Sequence, residues 1–440
     1  MATIAANTYD EQITLIQQQP QALEELYQQS KRQHASSAFQ SAVQRLFDTQ
    51  PDNQLLAAWY YRFQSDTAVT NTIRWGIATI IGACVGLLLW ILSLPAFSIG
   101  SITVILIVWS PCLAAGIIAF LAITGRANWG WLAIAIGILL VATSYTTLII
   151  FNQPTTLHLS NQEVVLLLHL PLIAIGSVAI FVIGPTRRGS DVHGFVWKGI
   201  ETVGIAGVFG IVDAAFVGLI IALFLAINVS PNSVIVRLLA AISFGIIPII
   251  AIAISYQPGI APGDQDSEGG FAGLITIATQ LLVPLSLTAL ILYLAFLPTN
   301  FFLVFNNRDS LIIYNLLLFG AVALIVAATP LTADPTVLAR KMWLRRGIIT
   351  LAGLVTLISL HALAAIIFRT TQHGVSINRA IIIGWNSISI VLLIGFLWNQ
   401  IRQSEQNWVA RAQSVYLIGG MSYILWGIIV LATIPWLSWS

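Results

Sequence analysis

The chain has 440 residues, of which 58% are apolar and only 8% are charged, and its formal net charge is +2. Soluble domains are about one quarter charged, so a chain this poor in charge would expose large apolar patches in water. The small net charge and the lack of a basic stripe with interleaved aromatic residues argue against a nucleic-acid partner. The composition predicts that the lipid bilayer is the main partner.

Residues 1–70 form the polar part of the chain and predict a short soluble helical segment. Apolar residues recur at helical spacing, as in Leu23, Leu26, Tyr27, Phe39, Val43, Leu46, Phe47, Leu55, Leu56, Trp59 and Tyr60. Pro20 and Pro51 separate the helices, and Asp52 is a predicted N-terminal cap. Two interpretations stay open, a solvated helical arm and a module that binds a cytosolic protein.

Residues 71–440 predict a polytopic membrane domain, and the fold class is an all-α transmembrane helical bundle. A spanning helix needs about 20 apolar residues, and the sequence contains eleven such stretches: Trp75–Leu94, Ser101–Thr124, Trp131–Phe151, Val164–Gly184, Val203–Asn228, Val234–Tyr256, Ala272–Phe296, Leu311–Pro330, Ile348–Arg369, Ala380–Gln400 and Val415–Trp436. Runs of this length exclude barrel strands. The longest polar connectors are Pro185–Gly199, Gln257–Gly270 and Thr332–Gly347.

Lysine and arginine positions predict the orientation, because cytoplasmic loops carry the excess of positive charge. With a cytoplasmic N-terminus, the inner side holds Arg62, Arg74, Arg126, Arg187, Arg188, Lys198, Arg340, Lys341, Arg345, Arg346, Arg402 and Arg411. The outer side holds only Arg237, Arg308, Arg369 and Arg379. The sequence thus predicts a multi-pass protein of the inner, cytoplasmic membrane with its N-terminus inside and its C-terminus outside.

Two motifs stand out in the C-terminal half. One is a long apolar stretch with Leu282, Pro284, Leu285, Leu292, Tyr293 and Leu294, and the other runs through Arg369, His373, Gly374, Ser376, Arg379 and Trp385. In these motifs Phe271–Leu397 resembles a bacterial multi-pass membrane family, domain of unknown function 4153. The family pattern has Tyr and Thr where this chain has His373 and Ser376. The resemblance implies many membrane helices and no particular activity.

Asp213 is the strongest single candidate for a functional residue, because a charged group inside a bilayer is costly and is often functional. It lies near the middle of the fifth predicted span. Small residues on the same stretch, namely Gly204, Gly207, Gly210 and Ala214, predict a close neighbouring helix that supplies a partner. Asp213 is either a proton or cation site, or a hydrogen-bonded acid that fixes helix packing.

His169 and His361 are the other predicted intramembrane ionisable residues, on the fourth and ninth spans. Histidine can relay protons near neutral pH, although a lone histidine bonded to a carbonyl is the commoner arrangement. No spacing such as H-x-x-x-H accompanies them, so the sequence predicts no metal site and no cofactor.

Two polar groups at predicted helix ends carry alternative interpretations. Arg369, His373, Ser376 and Arg379 form a turn on the outer side, which either binds anionic headgroups or caps the two helices that it joins. Lys198 and Glu201 follow Arg187, Arg188 and His193, and this group is either an interfacial helix pair or a site for anionic lipid.

No P-loop, nucleophile elbow, metalloprotease motif or cysteine-based metal motif is present, so the sequence predicts no enzyme. The favoured hypothesis is a membrane scaffold or signalling component whose N-terminal helices recruit a cytosolic partner. Two alternatives are an ion- or proton-coupled permease that uses Asp213, and an enzyme or binder of lipid-linked substrates at the outer turn.

Overall fold

The protein is all-α, and its computed structural model describes residues 2–32, 36–94, 96–99, 102–125, 127–152, 160–226, 233–265, 270–302, 305, 308–331, 342–402 and 407–433. The helices are α1 (Ala2–Ile16), α2 (Pro20–Arg32), α3 (Ser36–Thr49), α4 (Gln54–Leu92), α5 (Ile105–Thr124), α6 (Trp129–Phe151), α7 (Asn161–Ile183), α8 (Gly189–Ala226), α9 (Ser233–Ser255), α10 (Gly270–Phe296), α11 (Arg308–Ala328), α12 (Met342–His373), α13 (Ile377–Arg402) and α14 (Trp408–Thr433). Two-residue strands, β1 (Ser98–Ile99) and β2 (Ile102–Thr103), pair antiparallel between α4 and α5. The chain divides into two compact units, Met1–Ile77 and Ala78–Ser440.

The N-terminal unit has its own hydrophobic core. Its ten buried apolar side chains come from all four of its helical segments and include five aromatic side chains, and they are Tyr9, Ile13, Leu23, Tyr27, Phe39, Ala42, Val43, Leu56, Trp59 and Phe63. Ring centroids of Tyr27 and Trp59 lie 5.2 Å apart, and those of Trp59 and Phe63 lie 5.4 Å apart. Aromatic pairs at such distances add to the free energy gained by burial.

Two ion pairs tie the surfaces of distant segments in this unit. Arg45 on α3 contacts Asp10 on α1 at 2.8 Å, and Arg62 on α4 contacts Glu24 on α2 at 3.0 Å. The predicted cap at Asp52 is wrong, because the Asn53 Oδ1 atom accepts the backbone N–H groups of Leu55 and Leu56. Asparagine is a strong N-cap residue, and here it stands directly before the first residue of α4.

Eleven of the described helices are long and apolar enough to cross a membrane. They coincide with the eleven predicted stretches, so the predicted helical bundle is confirmed. Many large apolar side chains on these helices are exposed, among them Ile211, Leu316 and Ile401, each more than 70% exposed. A water-soluble protein does not tolerate such surfaces, whereas a hydrocarbon solvent favours them. The chain is an integral, multi-pass membrane protein.

The predicted connector Pro185–Gly199 is wrong over most of its length, because α8 begins at Gly189. The polar residues of this segment led to the prediction of a loop, but several of them are buried against neighbouring segments. Gly194 lies so close to the carbonyl of Pro262 that a side chain there would overlap the backbone of the single-turn 3-10 helix Pro262–Asp264. The predicted connector Thr332–Gly347 is likewise too long, since α12 begins at Met342.

Glycine allows the first and sixth spanning helices, α4 and α9, to touch through their backbones. A Cβ atom on Gly82 would lie 2.6 Å from the Ile246 Cα atom, and one on Gly86 would lie 2.6 Å from the Ile242 Cα atom. Gly245 on α9 faces the backbone of both glycines. The Gly-x-x-x-Gly spacing therefore marks a close helix crossing, as small residues do in membrane proteins.

We expect Gly86→Ala to destabilise the membrane unit, because the added methyl group forces α4 away from α9. The expected cost is about 1–3 kcal/mol, the usual range for overpacking, and it is measured as a lower midpoint of thermal unfolding in detergent. Gly210→Ala on α8 is the matched control, since a Cβ atom there has no neighbour within 4 Å. Equal midpoints for the two variants would contradict the close crossing.

Candidate functional site

The Asp213 carboxylate on α8 has its partner on α9. Its Oδ1 atom accepts a 2.8 Å hydrogen bond from the hydroxyl of Ser243, which lies near the middle of α9. The expected close neighbour beside Gly207 and Gly210 is absent, because a Cβ atom on either glycine would have nothing within 4 Å among the described residues. Asp213 is therefore bonded to a neutral hydroxyl at a helix–helix contact.

Both ring nitrogens of His169 on α7 are engaged. The Nδ1 atom lies 2.8 Å from the Val165 carbonyl oxygen, one helical turn earlier, and the Trp385 Nε1–H donates to the Nε2 atom at 3.4 Å. These partners assign the proton to Nδ1, so the neutral ring satisfies both contacts. The side chain is buried, with 6% of its surface exposed. His169 therefore has the commoner arrangement named above, in which a buried histidine is bonded to a backbone carbonyl.

His361 on α12 has different neighbours from the other two candidates. Its Nε2 atom lies 3.2 Å from the Phe301 carbonyl oxygen, and its ring contacts Phe301 and Phe305 with centroids 4.5 and 5.5 Å apart. Its Nδ1 atom is buried and has no hydrogen-bond partner among the described residues. Within the described part of the chain, no three His, Cys, Asp or Glu side chains come together as metal ligands. Asp213, His169 and His361 thus occupy three separate places.

The predicted outer turn connects α12 to α13. Gly374 has φ +77°, a left-handed conformation that commonly ends helices. The Arg379 guanidinium donates to the Gly374 carbonyl at 2.6 Å, and the Ser376 hydroxyl accepts the Arg379 backbone N–H at 3.4 Å. His373 contacts the Arg369 carbonyl oxygen at 3.2 Å. The cluster thus joins and caps two helix ends, while headgroup binding there stays a prediction.

The polar group that the sequence singled out at the start of α8 is part of a buried polar layer, to which the structure adds Asp191 and partners from other segments. Asp191 is fully buried, and it accepts two hydrogen bonds from Arg188 and one from the Gly263 backbone N–H at 3.1 Å. Arg188 also contacts the exposed Asp264 carboxylate at 2.9 Å. These two carboxylates raise the pKa of Arg188 above its ordinary value. The contacts fasten the first turn of α8 to the connector after α9.

The same layer continues along α8 toward α11 and α14. His193 contacts the Val326 carbonyl at 3.1 Å through Nε2, and the Gln413 amide lies 3.4 Å from its Nδ1 atom. Trp197 donates to the Ala327 carbonyl at 3.2 Å. These α11 carbonyls lie in the last turn of that helix, where backbone oxygens lack helical partners. The layer therefore caps the C-terminal end of α11.

A buried ion pair completes the layer. The Lys198 ammonium lies 2.8 Å from Glu201, and both side chains are less than 10% exposed. Spacing could have revealed this face of the helix, because Asp191, Lys198 and Glu201 recur at intervals of seven and three residues. The predicted helix pair is present and is buried inside the protein, while its position at the membrane interface stays a prediction.

A large apolar cavity of about 850 Å³ opens among the membrane helices. Its longest wall is α7 from Leu168 to Ile183, and α6, α8, α11, α13 and α14 contribute the others. Arg187 and Trp131 lie at one end, and His169 lies at the other. The volume is within the range of small-molecule sites. Asp213 is not among the lining residues.

No protein-family model, curated protein or solved structure matches the chain. The resemblance to domain of unknown function 4153 therefore stays a prediction.

We expect Asp191→Ala to lower stability by about 2–3 kcal/mol. Breaking a buried pair costs more than this, but Arg188 is 48% exposed and water screens part of the loss. Asp264→Ala removes the exposed partner of the same arginine and should cost less than about 1 kcal/mol. Thermal unfolding in detergent measures both, and a larger loss for Asp264→Ala would contradict the assignment.

Proposed function

We propose that this integral membrane protein is a non-enzymatic scaffold or signalling component of the cytoplasmic membrane, whose N-terminal unit binds a cytosolic protein. The observation that carries the proposal is the separate core of that unit, where Ile13, Leu23 and Phe39 are fully buried. A solvated arm needs no such core, whereas a recognition module requires a fixed surface. The unit thus favours partner binding over a solvated arm.

The surface of the N-terminal unit supports the proposal. Tyr61 is 61% exposed beside the stacked rings of Phe47 and Tyr60, whose centroids lie 4.4 Å apart. The Tyr61 ring contacts both of them with centroids 6.0 and 5.4 Å away. Exposed tyrosines held by neighbouring rings are typical binding residues, because little conformational entropy is lost when a partner binds.

The proposed orientation places the N-terminus in the cytoplasm and the C-terminus outside. The eleven candidate spans among the described residues are an odd number, which supports two ends on opposite sides of the membrane. The excess of Lys and Arg in the loops assigned to the N-terminal side supports the same orientation.

The contacts of the ionisable residues favour a scaffold over a permease or an enzyme. Asp213 is bonded to Ser243, and His169 is bonded through both nitrogens. A proton pathway needs such groups to face a shared aqueous space. General acid–base catalysis needs a positioned pair of groups, whereas Arg379 and Ser376 of the outer turn contact helix ends.

Site-specific photocrosslinking in cells tests the proposal. With a photoreactive residue at Tyr61 in the full chain, we expect a discrete adduct with one water-soluble protein. The matched position is Gln44, which is exposed on α3 of the same unit. Absence of a discrete adduct from Tyr61, or the same adduct from both positions, would contradict partner binding at this surface.

Asp213→Asn separates a packing role from a proton site. An asparagine Oδ1 atom accepts the Ser243 hydroxyl as the carboxylate does, so we expect the unfolding midpoint to change by less than about 1 kcal/mol in equivalent free energy. The adduct from Tyr61 should persist in this variant. Proteoliposomes that contain the unsubstituted protein provide the comparison. If they take up protons and those with Asp213→Asn do not, the permease hypothesis would be favoured over the scaffold hypothesis.

A further inference from the structure

The cavity beside α7 has apolar walls because the polar groups near it are occupied with one another. His169 is bonded to Val165 and Trp385, and the Tyr423 hydroxyl lies 2.9 Å from the hydroxyl of Ser389. Ile180, Met421 and similar side chains form the remaining surface. An occupant of this part of the cavity would therefore be hydrocarbon.

The length of the cavity corresponds to one lipid molecule. The lining of α7 runs from Leu168 to Ile183, which is about 22 Å at a rise of roughly 1.5 Å per residue. Half of a bilayer, headgroup region included, is about 20–22 Å thick. The cavity is thus long enough for an acyl chain and for the headgroup attached to it.

Arg187 supplies a cation at one end of the cavity. Its guanidinium lies over the Trp131 ring at 5.2 Å, and among the described residues it takes part in no ion pair. The neighbouring Arg188 is occupied by two carboxylates. Arginine forks match the oxygens of a phosphate, and a tryptophan beside it is typical of the headgroup level.

The backbone of Arg187 also points to a ligand. Its φ is +53°, and no other non-glycine residue in the described part of the chain has a positive φ. Its N–H bonds to the Ile183 carbonyl at 2.9 Å, as in the left-handed helix ending where glycine is preferred. An arginine at this place strains the backbone, and such strain is concentrated at ligand clamps.

We propose that the cavity holds one acyl chain of an anionic phospholipid and that Arg187 binds its phosphate. The acyl chain lies along α7 between Arg187 and His169, surrounded by apolar side chains of α8 and α14. This site is independent of the N-terminal unit, so it goes beyond the scaffold function proposed above.

Photolabelling in nanodiscs tests the site on the full chain. The discs contain phosphatidylcholine with a small fraction of phosphatidylglycerol that carries a diazirine near the end of one acyl chain. We expect cross-links to residues that line the cavity toward His169, such as Trp385 and Gly427, located by mass spectrometry. A diacylglycerol with the same diazirine lacks the phosphate, and we expect it to label about tenfold less, because a charge-assisted hydrogen bond contributes at least that factor.

Substitutions of Arg187 test whether this residue binds the lipid headgroup. Arg187→Gln should lower labelling by phosphatidylglycerol about tenfold. Arg402→Gln is the matched control, since Arg402 also lies over a tryptophan, Trp398, at 3.7 Å and does not line the cavity. Arg187→Gly should lower labelling equally without lowering the unfolding midpoint, because glycine suits the positive φ. Unchanged labelling in both Arg187 variants would overturn the phosphate site.

A bulky side chain that fills the cavity tests whether an acyl chain occupies it. Ala179 lines the cavity, so Ala179→Phe should abolish the cross-links in a protein that stays monodisperse. Gly137→Phe adds the same ring on α6, where a Cβ atom has no neighbour within 4 Å, and should leave them unchanged. Equal labelling by the two lipid probes, or cross-links spread evenly over the lipid-facing helices, would show ordinary annular lipid and overturn the proposal.

Discussion

A polar group inside a bilayer must find its partner within the protein, because hydrocarbon offers no hydrogen bonds. Three charged side chains in the described part of the membrane unit show how this constraint is met. Asp213 meets a hydroxyl on α9, Asp191 meets Arg188 and a connector N–H, and Lys198 meets Glu201 three residues later. The contacts that join different segments specify which of them are neighbours in a bundle whose apolar surfaces are otherwise alike, whereas the Lys198–Glu201 pair neutralises charge within one turn of α8.

Run length alone predicted the eleven spanning helices, because a stretch of about 20 apolar residues has few other stable structures in lipid. The ends of the helices were harder to predict. The first turns of α8 carry Asp191, His193 and Lys198, which resemble a loop in composition but are buried in the structure. Their partners lie on distant segments of the chain, such as Gly263 and Gln413. No local pattern in the sequence identifies such partners.

The candidate sites show the same division between residue type and geometry. The sequence singled out Asp213, His169 and the outer turn by residue type, but it could not supply Ser243, Trp385 or the Gly374 carbonyl as their partners. The sequence grouped Arg187 with Arg188, His193, Lys198 and Glu201 as an interfacial pair or a site for anionic lipid, but it could not distinguish Arg187 from its neighbour Arg188. The significance of Arg187 depends on a backbone φ of +53° and on a cavity beside it, and both are properties of the folded chain. The cavity itself is built from six helices with ordinary apolar sequences.

The backbone contact between α4 and α9 has a consequence for biogenesis. Gly82 and Gly86 belong to the first spanning helix, and Gly245 belongs to the sixth. The first helix enters the lipid long before its contact surface on the sixth has been synthesised. Its glycine face must therefore remain exposed to lipid, or covered by an insertion factor, while four further helices emerge from the ribosome. The final position of the first helix is set only after the sixth has been synthesised, even though the first is inserted well before it.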